Sequence, residues 1–147
     1  MSSLIIEHRF RLFMLSLAAV MAVGTVVELW FAEHLETLIQ YIPFILCGLA
    51  FLAIMAVLLR PRCQTILGLR VVMGLVALGS FFGLFQHLEH NIEFALEIQP
   101  NATVSQVFGD ALRGANPLLA PGILALVAII AAAATYQHPS LGGRSDE

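Results

Sequence analysis

The chain has 147 residues, of which 59% are hydrophobic and 12% are charged, and its formal net charge is −3. Soluble domains carry about 25% charged residues, so this composition excludes an ordinary soluble domain and indicates an integral membrane protein. All seven basic residues are arginine and ten residues are acidic, a balance that offers no basic field for nucleic acid. We therefore expect the lipid bilayer, and no nucleic acid, among the partners of this chain.

Four apolar segments are long enough to cross a bilayer, whose core of about 30 Å needs roughly 20 helical residues. Prolines stand near their ends and would interrupt a continuous helix. The pattern predicts an all-α fold in which residues 1–147 form one membrane domain, a bundle of four transmembrane helices. The predicted spans are residues 10–32, 42–60, 69–92 and 118–137.

The arginines predict the orientation of the bundle, because short cytoplasmic loops carry an excess of positive charge. Only Arg113 lies between the third and the fourth predicted span. We therefore expect the N and C termini to be cytoplasmic. The arginines that carry this prediction are Arg9, Arg11, Arg60, Arg62, Arg70 and Arg144.

A short amphipathic helix is predicted in the outer loop between the third and the fourth span. Thr103 or Ser105 can cap its start, and Gly114 would end it. We expect this helix to lie flat on the outer surface and to cover the polar residues below it. Its predicted apolar face consists of Val104, Val107, Phe108, Ala111 and Leu112.

Polar and ionisable side chains concentrate in the outer half of the predicted bundle. Glu28 follows Arg11 by 17 residues and His87 follows Arg70 by 17 residues, which is about 25 Å of helix in each case. Glu28 and His87 should therefore share one depth, at the outer edge of the hydrocarbon. We expect a structural polar layer at this level. Its predicted members are Glu28, His34, Gln40, Gln86, His87, Asn91 and Glu97.

Glu28 stands in the apolar stretch GTVVELWF, where an ionised carboxylate costs several kcal/mol unless it is paired or protonated. Two interpretations stay open: a protonatable functional site, or a structural hydrogen bond to His87 or Gln40. Because a buried carboxylate needs a partner, we expect Glu28 and His87 to lie within hydrogen-bonding reach, directly or through one water.

The outer end of the third span also allows a metal hypothesis. His90 and Glu93 have a His-x-x-Glu spacing that places both side chains on one helix face, and His87 and Glu28 would complete the ligand set. The alternative is that a helix emerging into water simply carries polar residues. A di-iron bundle would need Glu-x-x-His twice, which this chain lacks.

Other cofactors and enzymatic activities have less support in the sequence. Haem is not expected, because no histidine lies in the middle of a predicted span. A metal is the one cofactor left open. No nucleophile arrangement or phosphate-binding loop indicates an enzyme.

Glycines on the third span are predicted to let helices approach closely. Gly79 and Gly83 form a small-x-x-x-small pair, and Gly74 precedes them on the same span. We expect all three to serve helix packing.

The segments ELWFAEHLETLIQYIPFILCGL, LEHNIEFALEIQP and NPLLAPG resemble those of small four-span bacterial integral membrane proteins of unassigned function. The resemblance covers most of the chain and implies the four-span topology and a location in the bacterial cytoplasmic membrane. It implies no catalytic or binding residue.

Three functions stay open at this point. The first hypothesis is an interaction or accessory protein that packs with another membrane subunit, or with a second copy of itself, in a larger complex. The second is a metal- or redox-linked membrane protein that uses His87, His90, Glu93 and Glu28. The third is a small proton-coupled transporter in which Glu28 is the protonatable site.

Overall fold

The structure, a computed structural model, describes residues 2–32, 37–114, 116 and 118–141. These residues form helices joined by short connections, and no strand occurs among them, so the all-α prediction is confirmed. Two of the helices are short 3₁₀ helices, Leu38–Tyr41 and Pro139–Leu141. The α-helices are α1 (Ser2–Phe31), α2 (Ile42–Leu59), α3 (Cys63–Ile98), α4 (Val104–Ala111) and α5 (Leu119–Ala134).

Within the described residues, α1, α2 and α3 are long and apolar enough to cross a membrane. The predicted fourth span, residues 118–137, is realised as α5, which has 16 residues and is about 24 Å long. It is shorter than predicted because residues 135–137 form a turn, in which Gln137 has a φ of 45°. The crossing by a fourth helix and the orientation of the termini therefore stay predictions.

Two helices extend well beyond their predicted spans. α3 has 36 residues and is about 54 Å long, far more than the hydrocarbon core requires. The polar residues after position 92 continue the helix, and Pro100 is the first residue of that region that cannot. α1 begins at Ser2 and not near residue 10, because nothing in its polar start interrupts a helix.

The long helices form a four-cornered bundle. α1 packs against α2 and α5, and α3 also packs against α2 and α5, so α1 and α3 occupy opposite corners. α2 and α5 touch across the centre, and α4 lies against α3. This arrangement decides which polar side chains can meet, because residues of α1 and α3 face each other only across the bundle.

Small residues line much of the buried faces of α1 and α5, whereas α2 and α3 contribute mostly larger apolar residues to the centre of the bundle. On α1 the buried positions recur every three or four residues, for example at Ala18, Ala22 and Thr25. α5 contributes a similar face, with Ala128 and Ala131 almost completely buried. Such small side chains let helix backbones approach closely, which strengthens van der Waals packing where no water drives association.

Large apolar side chains are exposed on the outward faces of the helices. Val20, Leu52 and Leu78, one each from α1, α2 and α3, are 69%, 65% and 68% exposed. A water-soluble chain would pay heavily for a continuous apolar exterior of this kind, whereas lipid tails accommodate it. The apolar exterior therefore agrees with the membrane location that the amino-acid composition indicates.

The bundle has two polar ends. We call one the arginine end: it contains Arg11 of α1, Arg70 of α3, Pro61 between α2 and α3, and the C-terminus of α5. We call the other the asparagine end: it contains the last turns of α3 around Asn91, together with α4 and the N-terminus of α5.

Candidate functional site

At the arginine end, Arg11 reaches from α1 to the C-terminus of α5. Its guanidinium donates to the carbonyl oxygens of Ala134 at 3.3 Å, Tyr136 at 2.9 Å and Gln137 at 3.2 Å. On its own helix it also lies 3.6 Å from the Glu7 carboxylate, one turn earlier. One side chain thus ties the first helix to the last.

Arg70 makes the equivalent connection from α3. Its terminal nitrogen donates to the carbonyl oxygen of Thr135 at 2.7 Å, and its Nε lies 3.3 Å from the Oγ1 of the same residue. The Thr135 hydroxyl itself donates to the carbonyl of Ala132 at 2.9 Å, within α5. Thr135 is completely buried, so this contact fixes the register of α3 against α5.

The two arginines solve a chemical problem that every helix end presents. The last carbonyls of α5 have no partner within the helix, and leaving such groups buried and unsatisfied costs about 1–3 kcal/mol each. Positive charge also interacts favourably with the negative end of a helix dipole. Arg11 and Arg70 satisfy both requirements and bring α1, α3 and α5 together at one point.

A short polar segment after α5 continues this network. The backbone N–H of Ser140 donates to Nδ1 of His138 at 3.2 Å, and the Ser140 hydroxyl donates to the carbonyl of Pro61 at 2.9 Å. Burial lowers the pKa of His138, and the neighbouring charges of Arg11, His8 and Arg70 lower it further. The neutral imidazole is the form that can accept the Ser140 hydrogen bond.

At the asparagine end, Asn91 of α3 is 2% exposed and uses both ends of its amide. Its Nδ2 donates to the carbonyls of Ala111 and Asn116, each at 3.0 Å. Its Oδ1 accepts from the backbone N–H of Asn116 at 3.0 Å and from the Asn116 side chain at 3.3 Å. Asn91 therefore fastens the connection between α4 and α5 to the third helix.

Gly114 completes this contact, because its backbone passes directly over the Asn91 amide. A Cβ at position 114 would overlap the Asn91 side chain, including its Cγ. No other glycine outside the long helices approaches a neighbour in this way in the described part of the chain. The sequence predicted Gly114 as a helix terminator, whereas the structure shows that close packing on Asn91 also requires it.

The predicted amphipathic helix is present as α4. Val107 and Ala111 are buried against α3, whereas Val104, Phe108 and Leu112 are about half exposed. Thr103 precedes the helix, and its backbone N–H donates to the Gln106 side chain at 2.7 Å. Two of the five residues of the predicted apolar face thus pack on the protein.

The structure does not assemble the predicted metal ligands. His90 and Glu93 do meet, at 3.9 Å between Nδ1 and Oε2, but both side chains are largely exposed. No group of three or more His, Cys, Asp or Glu side chains able to hold a metal ion occurs among the described residues. Glu28 lies on α1, at the corner of the bundle opposite α3.

Glu28 and His87 are both half-buried, and their common depth stays a prediction. The Glu28 carboxylate forms no hydrogen bond or ion pair with any described residue, so no direct bond joins it to His87. The reason is the arrangement of the helices, since α1 and α3 are not neighbours. The water-mediated form of this contact stays a prediction.

The other members of the predicted polar layer have different surroundings. Gln40 accepts from the backbone N–H of Thr37 at 2.9 Å and stabilises the first 3₁₀ helix. Gln86 and Glu97 are exposed on α3, and His34 lies outside the described residues. Asn91 is the one predicted member that is both fully buried and bonded to another element.

The three predicted packing glycines also differ. A Cβ at Gly79 would overlap the Leu46 side chain of α2, and a Cβ at Gly83 would stand 3.3 Å from Pro121 Cβ of α5. Around Gly74 nothing lies within 4 Å of that position. Gly79 and Gly83 therefore pack within the chain, while Gly74 faces outward.

From the sequence, Arg11 and Arg70 predicted the orientation of the bundle and the depth of Glu28 and His87, but not their contacts with the end of α5. One signal was available: Arg70 stands in the apolar stretch ILGLRVVMGL, as Glu28 stands in its own. A charged residue so placed needs an internal partner. The identity of that partner was not accessible, because Thr135 is 65 residues away along the chain.

These features define a helical protein with three helices able to cross a membrane and a hydrogen-bonded polar cluster at each end. No protein-family model, no curated protein and no solved structure matches the chain. The resemblance to small four-span bacterial membrane proteins accordingly stays a prediction, and function must be argued from the chain's own residues.

Proposed function

We propose that this protein is a small integral membrane interaction or accessory protein that packs through an outward helix face with another membrane subunit or with a second copy of itself. The observation that carries the proposal is how the polar groups are used. Asn91, Arg11 and Arg70 direct their hydrogen bonds inward, to the backbone of other segments. Such contacts make a rigid bundle and leave the outer surface for association.

The outward face of α3 supports this proposal. Gly68 and Gly74 are exposed on it, with nothing within 4 Å of the place where a Cβ would stand. Around them are large apolar side chains, including Val71 and Leu78. An exposed glycine on an apolar helix lets a second helix approach closely, which is how helices associate in lipid.

A crosslinking experiment in native membranes tests this proposal. A photo-crosslinking amino acid at Val71, which is 66% exposed and one turn from Gly74, should give an adduct of one defined mass. Gly74→Leu should abolish the adduct, because the side chain would hold the partner helix away. Gly109→Leu is the matched control, since Gly109 is also exposed with no neighbour within 4 Å but lies on α4.

Two results would contradict the proposal. One is the absence of any protein adduct from Val71 and from the other exposed positions on this face. The other is an adduct that persists unchanged in the Gly74→Leu variant. A mass equal to twice the chain would identify the partner as a second copy.

The two other hypotheses have weaker support. The metal or redox hypothesis would use His87, His90, Glu93 and Glu28, of which only His90 and Glu93 meet, in an exposed position. The transporter hypothesis keeps one supporting feature, which is that Glu28 is a half-buried carboxylate on an apolar helix.

The proposal includes a location in the bacterial cytoplasmic membrane with four spans and both termini in the cytoplasm. Cys63 offers a native probe, because it is exposed at the arginine end while Cys47 is buried. A membrane-impermeant thiol reagent should label Asn101→Cys in intact cells and Cys63 only after permeabilisation. Labelling in the reverse order would overturn the orientation.

A further inference from the structure

We propose that Arg9, Arg60 and Arg62 form a surface at the arginine end that binds the headgroups of anionic phospholipids. The inference rests on the proposed membrane location, but it concerns a different part of the molecule from the helix face of α3. It assigns a partner to three side chains that the fold itself does not use.

The arginines at this end divide into two groups. The guanidiniums of Arg11 and Arg70 are bonded to backbone carbonyls at the C-terminus of α5. Those of Arg9, Arg60 and Arg62 are exposed, and none of them forms a hydrogen bond or ion pair with a described residue. The second group therefore has all of its donors available.

Within the described residues, few negative charges are available to balance these arginines. Among the described residues of the arginine end, the one carboxylate is Glu7, and it is 3.6 Å from Arg11. Five arginines thus stand against a single acid in this part of the structure. The carboxylates of α3 and α4 lie at the asparagine end, at the opposite end of the bundle.

The hydrogen bonds of the arginine end hold the backbones of these three residues at the same end of the bundle. Arg9 is two residues from Arg11, which is bonded to the carbonyl of Gln137, so the Arg9 side chain points to the other side of α1, away from α5. The carbonyl of Pro61, which separates Arg60 from Arg62, accepts the hydroxyl of Ser140. Ser140 follows Gln137 by three residues in the same segment. Residues 137–140 therefore join the start of α1 to the connection between α2 and α3.

The depth of this region matches a lipid headgroup. Arg60 directly follows Leu59, which is 74% exposed, and Arg9 directly precedes Phe10, which is 60% exposed. At Arg60 an exposed apolar helix face thus gives way to guanidiniums, whereas on α1 Arg9 lies between exposed apolar residues on both sides, Ile6 and Phe10. A guanidinium offers a planar set of donors that fits the oxygens of a phosphate, and anionic lipids attract such basic segments.

The experiment measures lipid retention by the purified full chain in a neutral detergent. Native mass spectrometry would count bound phosphatidylglycerol and phosphatidylcholine in parallel titrations. The wild type should retain phosphatidylglycerol preferentially, and the triple variant Arg9→Gln, Arg60→Gln, Arg62→Gln should lose about ten-fold or more of this affinity. Arg113→Gln is the control, because Arg113 is exposed at the asparagine end and should not matter.

Two further measurements make the result unambiguous. An unchanged melting temperature of the triple variant would show that the fold is intact, as expected for side chains without internal partners. Excess inorganic phosphate should fail to displace the lipid, whereas displacement would show that a free phosphate ion is the ligand and would overturn the lipid assignment.

The inference is wrong if the wild type retains both lipids equally, or if the triple variant retains phosphatidylglycerol as the wild type does. Its failure can be separated from failure of the proposed function. A chain that still yields the Val71 adduct in membranes but shows no lipid preference would leave the interaction role intact.

Discussion

Arg70 of α3 holds Thr135 at the end of α5 by two contacts, one from a terminal guanidinium nitrogen to the Thr135 carbonyl at 2.7 Å and one from Nε to its hydroxyl at 3.3 Å. This contact joins α3 to the C-terminal end of α5 at the arginine end of the bundle. A residue whose charge predicts membrane orientation is therefore also a cap for a helix that is distant in sequence.

Replacing Arg70 should weaken the fold. Arg70→Gln should lower the free energy of unfolding by about 1.5–3 kcal/mol, because it removes charged hydrogen bonds and leaves the buried Thr135 carbonyl with only the His138 N–H as donor. Chemical unfolding in detergent measures this loss. Arg70→Lys should restore part of it, since an ammonium can reach the carbonyl but cannot make both contacts.

Arg62→Gln is the matched control for this measurement. Arg62 belongs to the same end of the bundle, but its side chain is exposed and its guanidinium bonds to no described residue; only its backbone bonds to Thr65. Its replacement should change the stability in detergent by less than about 0.5 kcal/mol. A loss equal to that of Arg70→Gln would mean that net charge, and not the contact with Thr135, stabilises this end.

Asn91 and Gly114 should show energetic coupling. Asn91→Ala should cost about 1–3 kcal/mol, because the Asn116 carbonyl loses its Asn91 donor, the Asn116 N–H loses its acceptor and the Ala111 carbonyl keeps only the Gly114 N–H. Gly114→Ala should also destabilise, because its Cβ would overlap the Asn91 amide. In the double variant the amide is gone, so the combined loss should be smaller than the sum of the single losses.

Gly109→Ala provides the comparison for Gly114→Ala. Gly109 lies in α4 with open space around it, so alanine there should be neutral or stabilise the helix by up to about 1 kcal/mol. Thermal unfolding of the four variants would decide the matter. Strictly additive losses for Asn91 and Gly114 would show that their contact is not what holds this connection.

His138 should make stability depend on pH. The folded protein lowers the pKa of His138, chiefly by burial and then through Arg11, His8 and Arg70. The unfolded chain, with a histidine pKa of about 6.5, then binds the proton more readily than the folded one. The stability from the neutral imidazole is present above this value and is lost as the pH falls through the lowered folded pKa.

The variant His138→Asn isolates this effect, because the asparagine oxygen can accept the Ser140 N–H but does not titrate. Melting temperatures from pH 8 to pH 5 should fall further for the wild type than for the variant. Parallel curves for the two proteins would assign the pH dependence to another group, with His8 the next to replace.

Gly79 and Gly74 should respond differently to the same substitution. Gly79→Leu should destabilise the protein in detergent by about 1–3 kcal/mol, because the new side chain would push against Leu46 of α2. Gly74→Leu should leave the melting temperature unchanged, since nothing lies near it. If both variants melted like the wild type, the contact of α2 with α3 at Gly79 would be looser than the structure has it.

A double variant tests whether one water links Glu28 and His87. The two residues stand at opposite corners of the bundle, on α1 and α3, so without such a water replacing both should cost the sum of the single replacements within about 0.5 kcal/mol. Unfolding measurements on Glu28→Gln, His87→Gln and the double variant form the test. A coupling energy of more than about 1 kcal/mol would support the predicted link through one water.

Much of the local structure could be predicted from the sequence alone. Composition and the length of apolar runs determine that the chain is helical and suited to a membrane, since both act through a few neighbouring residues. Thr103 marks the start of the short helix α4 for the same reason, because capping is a local event, whereas the helix ends at Ala111, three residues before the predicted terminator Gly114. The position of Gly79 and Gly83 in a packed face also follows from a spacing of four.

The tertiary structure alone decided which helices are neighbours and therefore which polar groups meet. A helix that is apolar all round shows no periodic contrast between the side that faces its neighbours and the side that faces lipid, so α1, α2 and α3 could not be oriented from their own residues. Arg70 reaches a carbonyl 65 residues away, and Asn91 one that is 25 away. Counting residues along the helices predicts one depth for Glu28 and His87, but the two residues lie on helices at opposite corners of the bundle. Equal depth follows from counting residues along a helix, whereas contact depends on how separate helices pack.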